Sequence, residues 1–256
     1  MKKFTFYLLS IGLIHFISIA KAQDFSLGIR GGISIPNLTA GSGNQTPLNT
    51  GYSSRLGPDA GIFAEFKFSN LFSLQPMIEY SSQGGKKNGL QAFTTPDEIT
   101  QMFPAGQAPQ YLYANYNSEA KLNYLMVPVL AKFGWNLRKL PLRVYIDAGP
   151  YVAFLLSAHQ VTSGESQFYT DPAGQQPLPG GEQSFNKTTD IKDQLHHTNV
   201  GIEGNVGFSY SFGLSKIFIE GGGNYGFLNI QKFAADGKNN TGAATVAVGY
   251  AYWFGK

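Results

Sequence analysis

The stretch Thr245-Val-Ala-Val-Gly-Tyr-Ala-Tyr-Trp-Phe-Gly-Lys256 decides how this chain folds, because large apolar residues alternate with small ones along it and it ends in an aromatic cluster. In extended backbone, successive side chains point to opposite faces. Val246, Val248, Tyr250, Tyr252 and Phe254 then share one face, and Thr245, Ala247, Gly249 and Ala251 the other. One such strand is weak support for a closed barrel wall; the reading needs the same period on every strand.

Seven further stretches repeat it. Phe25 to Ile35 sets Phe25, Leu27, Ile29, Ile33 and Ile35 against Ser26, Gly28, Arg30, Gly32 and Ser34. Asp59 to Phe68 sets Ala60, Ile62, Ala64, Phe66 and Phe68 against Asp59, Gly61, Phe63, Glu65 and Lys67. Phe72, Leu74, Pro76, Ile78 and Tyr80 oppose Ser73, Gln75, Met77, Glu79 and Ser81. Lys121 to Phe133 is apolar on both faces between Leu125 and Leu130; placing Lys132 inward sends Leu125, Val127, Val129, Ala131 and Phe133 outward. From Leu142 to Phe154, Val144, Ile146, Ala148, Val152 and Phe154 oppose Arg143, Tyr145, Asp147, Gly149 and Tyr151. From Thr198 to Phe212, Val200, Ile202, Val206, Phe208, Tyr210 and Phe212 oppose Asn199, Glu203, Asn205, Ser209 and Ser211. From Lys216 to Phe227, Ile217, Ile219 and Tyr225 oppose Phe218, Glu220 and Asn224. Glycines such as Gly28, Gly31, Gly32 and Gly221 to Gly223 are expected to permit the coiling that closure demands.

The connections alternate in length. Ser69-Asn70, Asn136 to Pro141 and Gly213 to Ser215 are short, whereas Pro36 to Pro58, Ser82 to Ala120, Ser157 to His197 and Leu228 to Gly242 are long and polar. An even strand count returns the chain to its starting side, so both termini lie with the short turns.

The N-terminus supplies a compartment. Lys2 and Lys3 precede an apolar run from Phe4 to Ile19, and Ala20-Lys21-Ala22 has the small residues of a signal-peptidase site, so residues 1–22 are expected to be removed and 23–256 to form one domain. The run is shorter than the ~20 residues a spanning helix needs. Removing Lys2, Lys3 and Lys21 from nineteen basic residues leaves sixteen, equal to the sixteen acids. The remaining lysines and arginines are scattered, which argues against a nucleic-acid partner. With no cysteine there is no disulfide framework, thiolate metal site or lipoprotein anchor.

Alternation alone does not separate a membrane barrel from a soluble one, which swaps the apolar face inward. Here the charged residues fall on one face with glycine, serine and asparagine, and the other face is almost uncharged. Aromatics bunch at strand ends, at Phe66 and Phe68, Tyr80, Tyr210 and Phe212, and Tyr252 to Phe254, where rings meet acyl chains and headgroups. The expectation is an all-β, eight-stranded antiparallel up-and-down transmembrane β-barrel in the outer membrane, with short periplasmic turns, long external loops and outer-membrane lipid as its surroundings.

Four segments carry a resemblance to a known family: Gly28-Ile-Arg-Gly-Gly-Ile-Ser34, Leu122-Asn-Tyr-Leu-Met-Val-Pro-Val-Leu-Ala-Lys-Phe133, Asp147-Ala-Gly-Pro-Tyr-Val-Ala-Phe-Leu-Leu156 and Phe218-Ile-Glu-Gly-Gly-Gly-Asn-Tyr-Gly-Phe-Leu-Asn-Ile230. Through them the mature chain resembles the small outer-membrane β-barrel proteins called PorT-like. The resemblance implies the same fold; the name-giving member's link to secretion and gliding does not transfer. The family often carries an acid where this chain has Met126.

Ten charged residues fall on the inward face: Arg30, Asp59, Glu65, Lys67, Glu79, Lys132, Arg143, Asp147, Glu203 and Glu220. An eight-stranded barrel is just wide enough for side chains to fill, so these are expected to pair as a structural network rather than line a pore. No cofactor is implied. His196 and His197 are adjacent and point apart in extended backbone, which makes a poor metal pair. A rim enzyme would draw on His159, Ser163, Asp171 and Asp190, but no spacing marks them as a set. The reading is a non-enzymatic, monomeric barrel with a structural or interaction role. A protein or glycan partner would meet its external loops, where Tyr111, Tyr113, Tyr116, Phe168 and Tyr169 suit recognition. A rim-localised lipid-modifying or hydrolytic enzyme and a narrow channel are the alternatives.

Overall fold

Eight antiparallel strands close into a ring: β1 (Asp24–Ala40), β2 (Gly57–Lys67), β3 (Phe72–Thr94), β4 (Tyr111–Asn136), β5 (Leu142–Ser163), β6 (Thr198–Phe212), β7 (Ser215–Gly226) and β8 (Asn239–Trp253). Each pairs with the next, and β8 pairs with β1 to complete the circle, from Ser26 opposite Trp253 to Ala40 opposite Asn239. This computed structural model describes residues 24–41, 45–137 and 140–254; the expected signal peptide lies outside them.

Register turns alternation into a belt. Tyr250, Ile29, Ile62 and Ile78 stand side by side on four neighbouring strands. All four point outward and are 40% or more exposed. Val127, Ile146, Val206 and Ile219 continue that surface on the other four strands. A continuous exposed apolar band of this kind belongs in hydrocarbon, where closure of the ring also satisfies every ladder N–H and C=O. At the short-turn end, Phe25 lies 5.1 Å from Phe254 and Phe72 lies 5.1 Å from Phe133, forming an aromatic girdle.

The short turns follow local chemistry. Ser69 Oγ accepts the N–H groups of Leu71 and Phe72, tying the β2–β3 turn. Gly213, at φ 58°, turns β6 into β7 in a left-handed conformation that costs other residues free energy.

Two expectations need correction. The second long connection is largely strand and the third partly so: β3 and β4 stay paired up to Thr94 opposite Tyr111, β5 runs on to Ser163, and Lys187–Asp190 adds to its edge. From Ser82 to Lys87 the strand is covered by the first external connection, with Arg55 on Ser82 and Ser53 bridged to Lys86, so small and polar residues replace the apolar period of Ser82-Gln-Gly-Gly-Lys-Lys-Asn-Gly89 while backbone pairing continues. The inward glycines are not simply points of coiling. A Cβ on Gly28 would collide with the Phe63 ring, on Gly249 with Phe218, on Gly207 with Tyr145 and on Gly201 with Tyr151. Each glycine leaves the space that a neighbouring strand's ring fills.

Candidate functional site

Eight of the ten inward charges are buried inside the barrel. Arg30, on β1, is the hub. Its Nη2 lies 2.9 Å from Asp59 Oδ1 and 3.8 Å from Glu79 Oε2, and its Nη1 lies 3.0 Å from Glu220 Oε1 and 3.3 Å from Glu203 Oε1. Four strands thus aim carboxylates at one guanidinium, whose planar fork of donors suits several acceptors at once. Asn205 bridges Asp147 and Glu203 at 3.0 and 3.1 Å. Lys132 lies 3.7 Å from Asp147, donates to Gln75 at 2.7 Å, and sits 4.0 Å above the Tyr145 ring, whose hydroxyl donates to Glu220 at 2.7 Å.

A second, lower pair joins Glu65 to Lys216 at 2.5 Å, with Ser73 donating to the same carboxylate. Lys216 was missing from the inward set, although its place two residues before Phe218 puts it on that face. Phe63, Met77, Leu130, Tyr145 and Phe218 pack together in the lower lumen. Lys67 and Arg143 stand apart from the network. Arg143 donates to the backbone carbonyl of Asn70 at 2.9 Å, and Lys67 Nζ lies 5.9 Å from the Trp253 ring. Both sit within a few residues of a periplasmic turn, where the lumen ends and a long side chain reaches its rim.

Above the charged layer an apolar cluster fills part of the interior, beside buried Gln83, Asn199, Asn224 and Thr241. Leu122, Tyr124, Met126, Tyr151, Ala153 and Leu155 form it, and Leu195 and Ile230, from the third and fourth external connections, insert from above. Met126 stands opposite Glu79 in register, so an apolar side chain faces this carboxylate across the strand pair. Neither oxygen of Glu79 has a hydrogen-bond partner among the described residues.

The external segments are folded on themselves. Tyr116 stacks on Phe185 at 4.3 Å, and Phe168 and Phe93 pack around the same ring. Tyr113 and Tyr169 bond each other through backbone. Tyr116 and Phe168 are therefore part of the loops' own core, a correction to their expected role as exposed recognition residues. Arg55 ties the first external connection to β4 through Glu119 at 2.7 Å. Burial pushes the Glu119 carboxyl up, but the hydrogen bond and charge of Arg55 outweigh it and hold the group below its ordinary value.

The residues considered for rim chemistry are dispersed. Asp171 accepts the backbone N–H groups of Ala173, Gln175 and Gln176, and Asp190 accepts that of Lys192. His159 lies within β5, paired with Lys121 and Asp190 in register. His197 Nε2 lies 3.2 Å from the Lys192 carbonyl, and His196 is exposed.

Three spaces stand out. Two, of about 740 and 640 Å3, are grooves on the lipid-facing wall, floored by Gly31 and Gly249 in one and Gly28 in the other, where acyl chains lie. The third, about 210 Å3, lies at the external mouth between the barrel's upper apolar cluster and the folded connections. Tyr52, Tyr116, Lys87, Asp236 and four glutamines line it. Lys87 donates to the carbonyls of Leu48 at 2.6 Å and Pro47 at 3.3 Å and sits 4.5 Å over the Tyr52 ring. Burial lowers the Lys87 ammonium to about 8. It also raises the Tyr52 hydroxyl to about 12, with smaller contributions from Tyr116 and Asp236.

Among solved structures, the chain is similar to Neisserial surface protein A, at 11% identity over 87% of this chain and 95% of that one, with a TM-score of 0.38. OprG from Pseudomonas aeruginosa matches at 10% identity over 90% and 96%, TM-score 0.37. Ail from Yersinia pestis matches at 9% over 89% and 99%, TM-score 0.35. No curated protein matches the chain. The family described as outer membrane protein beta-barrel domain matches residues 21–232. With that match spanning most of a closed eight-stranded ring with an apolar outer belt, the chain belongs to the outer membrane protein beta-barrel domain family and resides in the outer membrane.

Proposed function

We propose that this protein is a non-enzymatic, monomeric outer-membrane barrel of the PorT-like kind, exported by cleavage before Gln23, whose external half is a recognition surface. The observation that carries the reading is the filled lumen: an ion network, an aromatic cluster and an apolar plug follow one another along its length. A narrow barrel packed in this way is a rigid stalk for what stands above it. The folded external segments, with a core of their own around Phe185, supply a surface of fixed shape.

Recordings in planar bilayers test the proposal. Purified, folded protein should add no conductance steps above the bare membrane, and replacing His159 or His196 with Ala should leave its behaviour unchanged. Sustained open-channel current from the wild-type chain would refute the reading.

A further inference from the structure

The cavity at the external mouth has a composition that selects its occupant. Its floor is apolar, made by Leu38, Leu122, Leu195 and Ile230, which are all buried. Its walls are amides and phenols. Gln91 donates through Nε2 to the Tyr116 carbonyl at 2.7 Å, Gln160 to Ser118 Oγ at 3.0 Å and Gln231 to Asn239 Oδ1 at 3.3 Å. Each of these bonds fixes a side chain and leaves its Oε1 oxygen without a donor among the described residues. Gln194, exposed at the rim, has a side-chain amide with no protein hydrogen bond among the described residues. The hydroxyls of Tyr52 and Tyr116 donate to no acceptor among them either.

Charge is nearly absent as a means of recognition. The Lys87 ammonium is turned onto two carbonyls and an aromatic face. Asp236 is the one acid lining the cavity among the described residues, and burial pushes its carboxyl up. Burial keeps Tyr52 and Tyr116 protonated across the physiological range, so both remain donors. Fixed amide oxygens accept from hydroxyls, phenols and a free amide complete the exchange, and aliphatic and aromatic surfaces cover C–H groups. The volume, about 210 Å3, lies below the ~300 Å3 at which drug-sized sites begin.

We infer that this mouth cavity is a binding site for one neutral, hydroxyl-rich ring, a single uncharged sugar residue held with its C–H face on Leu122 and Leu195 and its hydroxyls on Gln91, Gln160, Gln194 and Gln231. The inference rests on the external half being the working surface, and it names the chemistry that surface reads. It excludes anionic sugars, for which the cavity offers no free cation among the described residues, and purely hydrocarbon ligands, which would strand the amides without partners.

Saturation-transfer NMR on the full chain, folded in amine-oxide micelles free of sugar detergents, tests this with D-glucose, D-mannose and N-acetylglucosamine as probes. Glucuronate, glucosamine and p-xylene serve as the contrasting set. At least one neutral sugar should bind saturably and more tightly than all three contrasting probes. Gln194→Leu should weaken that binding about tenfold, near the 1.4 kcal/mol worth of one good hydrogen bond. Because the Gln194 side chain has no hydrogen bond among the described residues, this variant should fold; Tyr52→Phe gives a second, independent reading in the same direction. No saturable binding of any neutral sugar by folded wild type overturns the inference, as does binding that both variants leave intact or a preference for glucuronate, glucosamine or p-xylene. If sugars fail while bilayers stay silent, the recognition reading survives without this site; if channels open, that reading falls whether or not a sugar binds.

Discussion

Replacing Arg30 with Met tests the ion network at its centre. The Arg30 side chain is 1% exposed and makes three charge-assisted bonds at 2.9, 3.0 and 3.3 Å, with a fourth carboxylate at 3.8 Å. Methionine keeps much of the side-chain volume but leaves Asp59, Glu79, Glu203 and Glu220 facing one another across a low-dielectric interior. Removing one partner from a buried ion pair typically costs ~3–5 kcal/mol, mostly from the charge left behind. Four carboxylates lose their common partner here, so the loss should lie at the upper end of that range, about 5 kcal/mol. Urea unfolding in lipid vesicles, followed by fluorescence of Trp135 and Trp253 and by the folded band on unboiled gels, reads the change. Combining Arg30→Met with Glu203→Gln and Glu220→Gln removes two of the stranded charges and should recover more than half of it. If Arg30→Met alone stays within about 1 kcal/mol of wild type, the reasoning fails, because a buried carboxylate cluster cannot lose its shared cation that cheaply.

Other outcomes follow from the same structure. Gly207→Val drives methyl groups into the Tyr145 ring and should cost ~1–3 kcal/mol in the same unfolding assay, whereas Gly221→Ala, with no close side-chain neighbour, should cost less. Val248→Arg puts a charge midway along the lipid-facing side of β8 and should cost ~2–4 kcal/mol, read as loss of the folded gel band at lower urea. Glu119, held below its ordinary value in the folded protein, binds its proton more weakly there than in the unfolded chain. Its contribution is therefore present above roughly pH 4.3 and lost as pH falls through the lower folded value. Pepsin cleavage within residues 45–56, normalised to an unfolded substrate at each pH, should rise as pH falls in wild type, and in Glu119→Gln should be high at every pH where pepsin is active. Mass spectrometry of protein from outer membranes should show a chain that begins at Gln23.

The half of the molecule in lipid was legible because the solvent writes a period of two into every strand that crosses it. Phase could be assigned even for the doubly apolar Leu125 to Leu130 stretch, by turning Lys132 inward. That stretch is apolar on both faces for two reasons: its outer face meets acyl chains, and its inner face meets Met126's plug above and the Phe63 and Tyr145 cluster below. The upper barrel carries no period of two because its β3 residues from Ser82 to Lys87 pack under the first external connection instead of facing lipid, while the ladder continues. Leu195 and Ile230 gave no warning of their place in the plug, since they come from connections without periodicity and their burial depends on where distant strands bring the chain. Lys67 and Arg143 obey the same alternation as Arg30, yet a position near a turn lets their long side chains settle at the rim. The glycine–ring pairs were hidden for a similar reason: only register matches Gly28 to Phe63.

The β3–β4 hairpin sets the height at which the outside world meets this protein. From Ser82, where the outward apolar band ends, to Thr94, the strand climbs twelve residues, about 40 Å at ~3.3 Å each, or roughly 30 Å along the membrane normal after a ~40° tilt. The headgroup layer takes up only some 5–8 Å of that climb. Lys87, five residues up, and Gln91, nine up, therefore hold the mouth cavity beyond the headgroups, in open water. A molecule arriving there never partitions into the bilayer, so its occupancy should follow its dissolved concentration and stay indifferent to the lipid composition beneath.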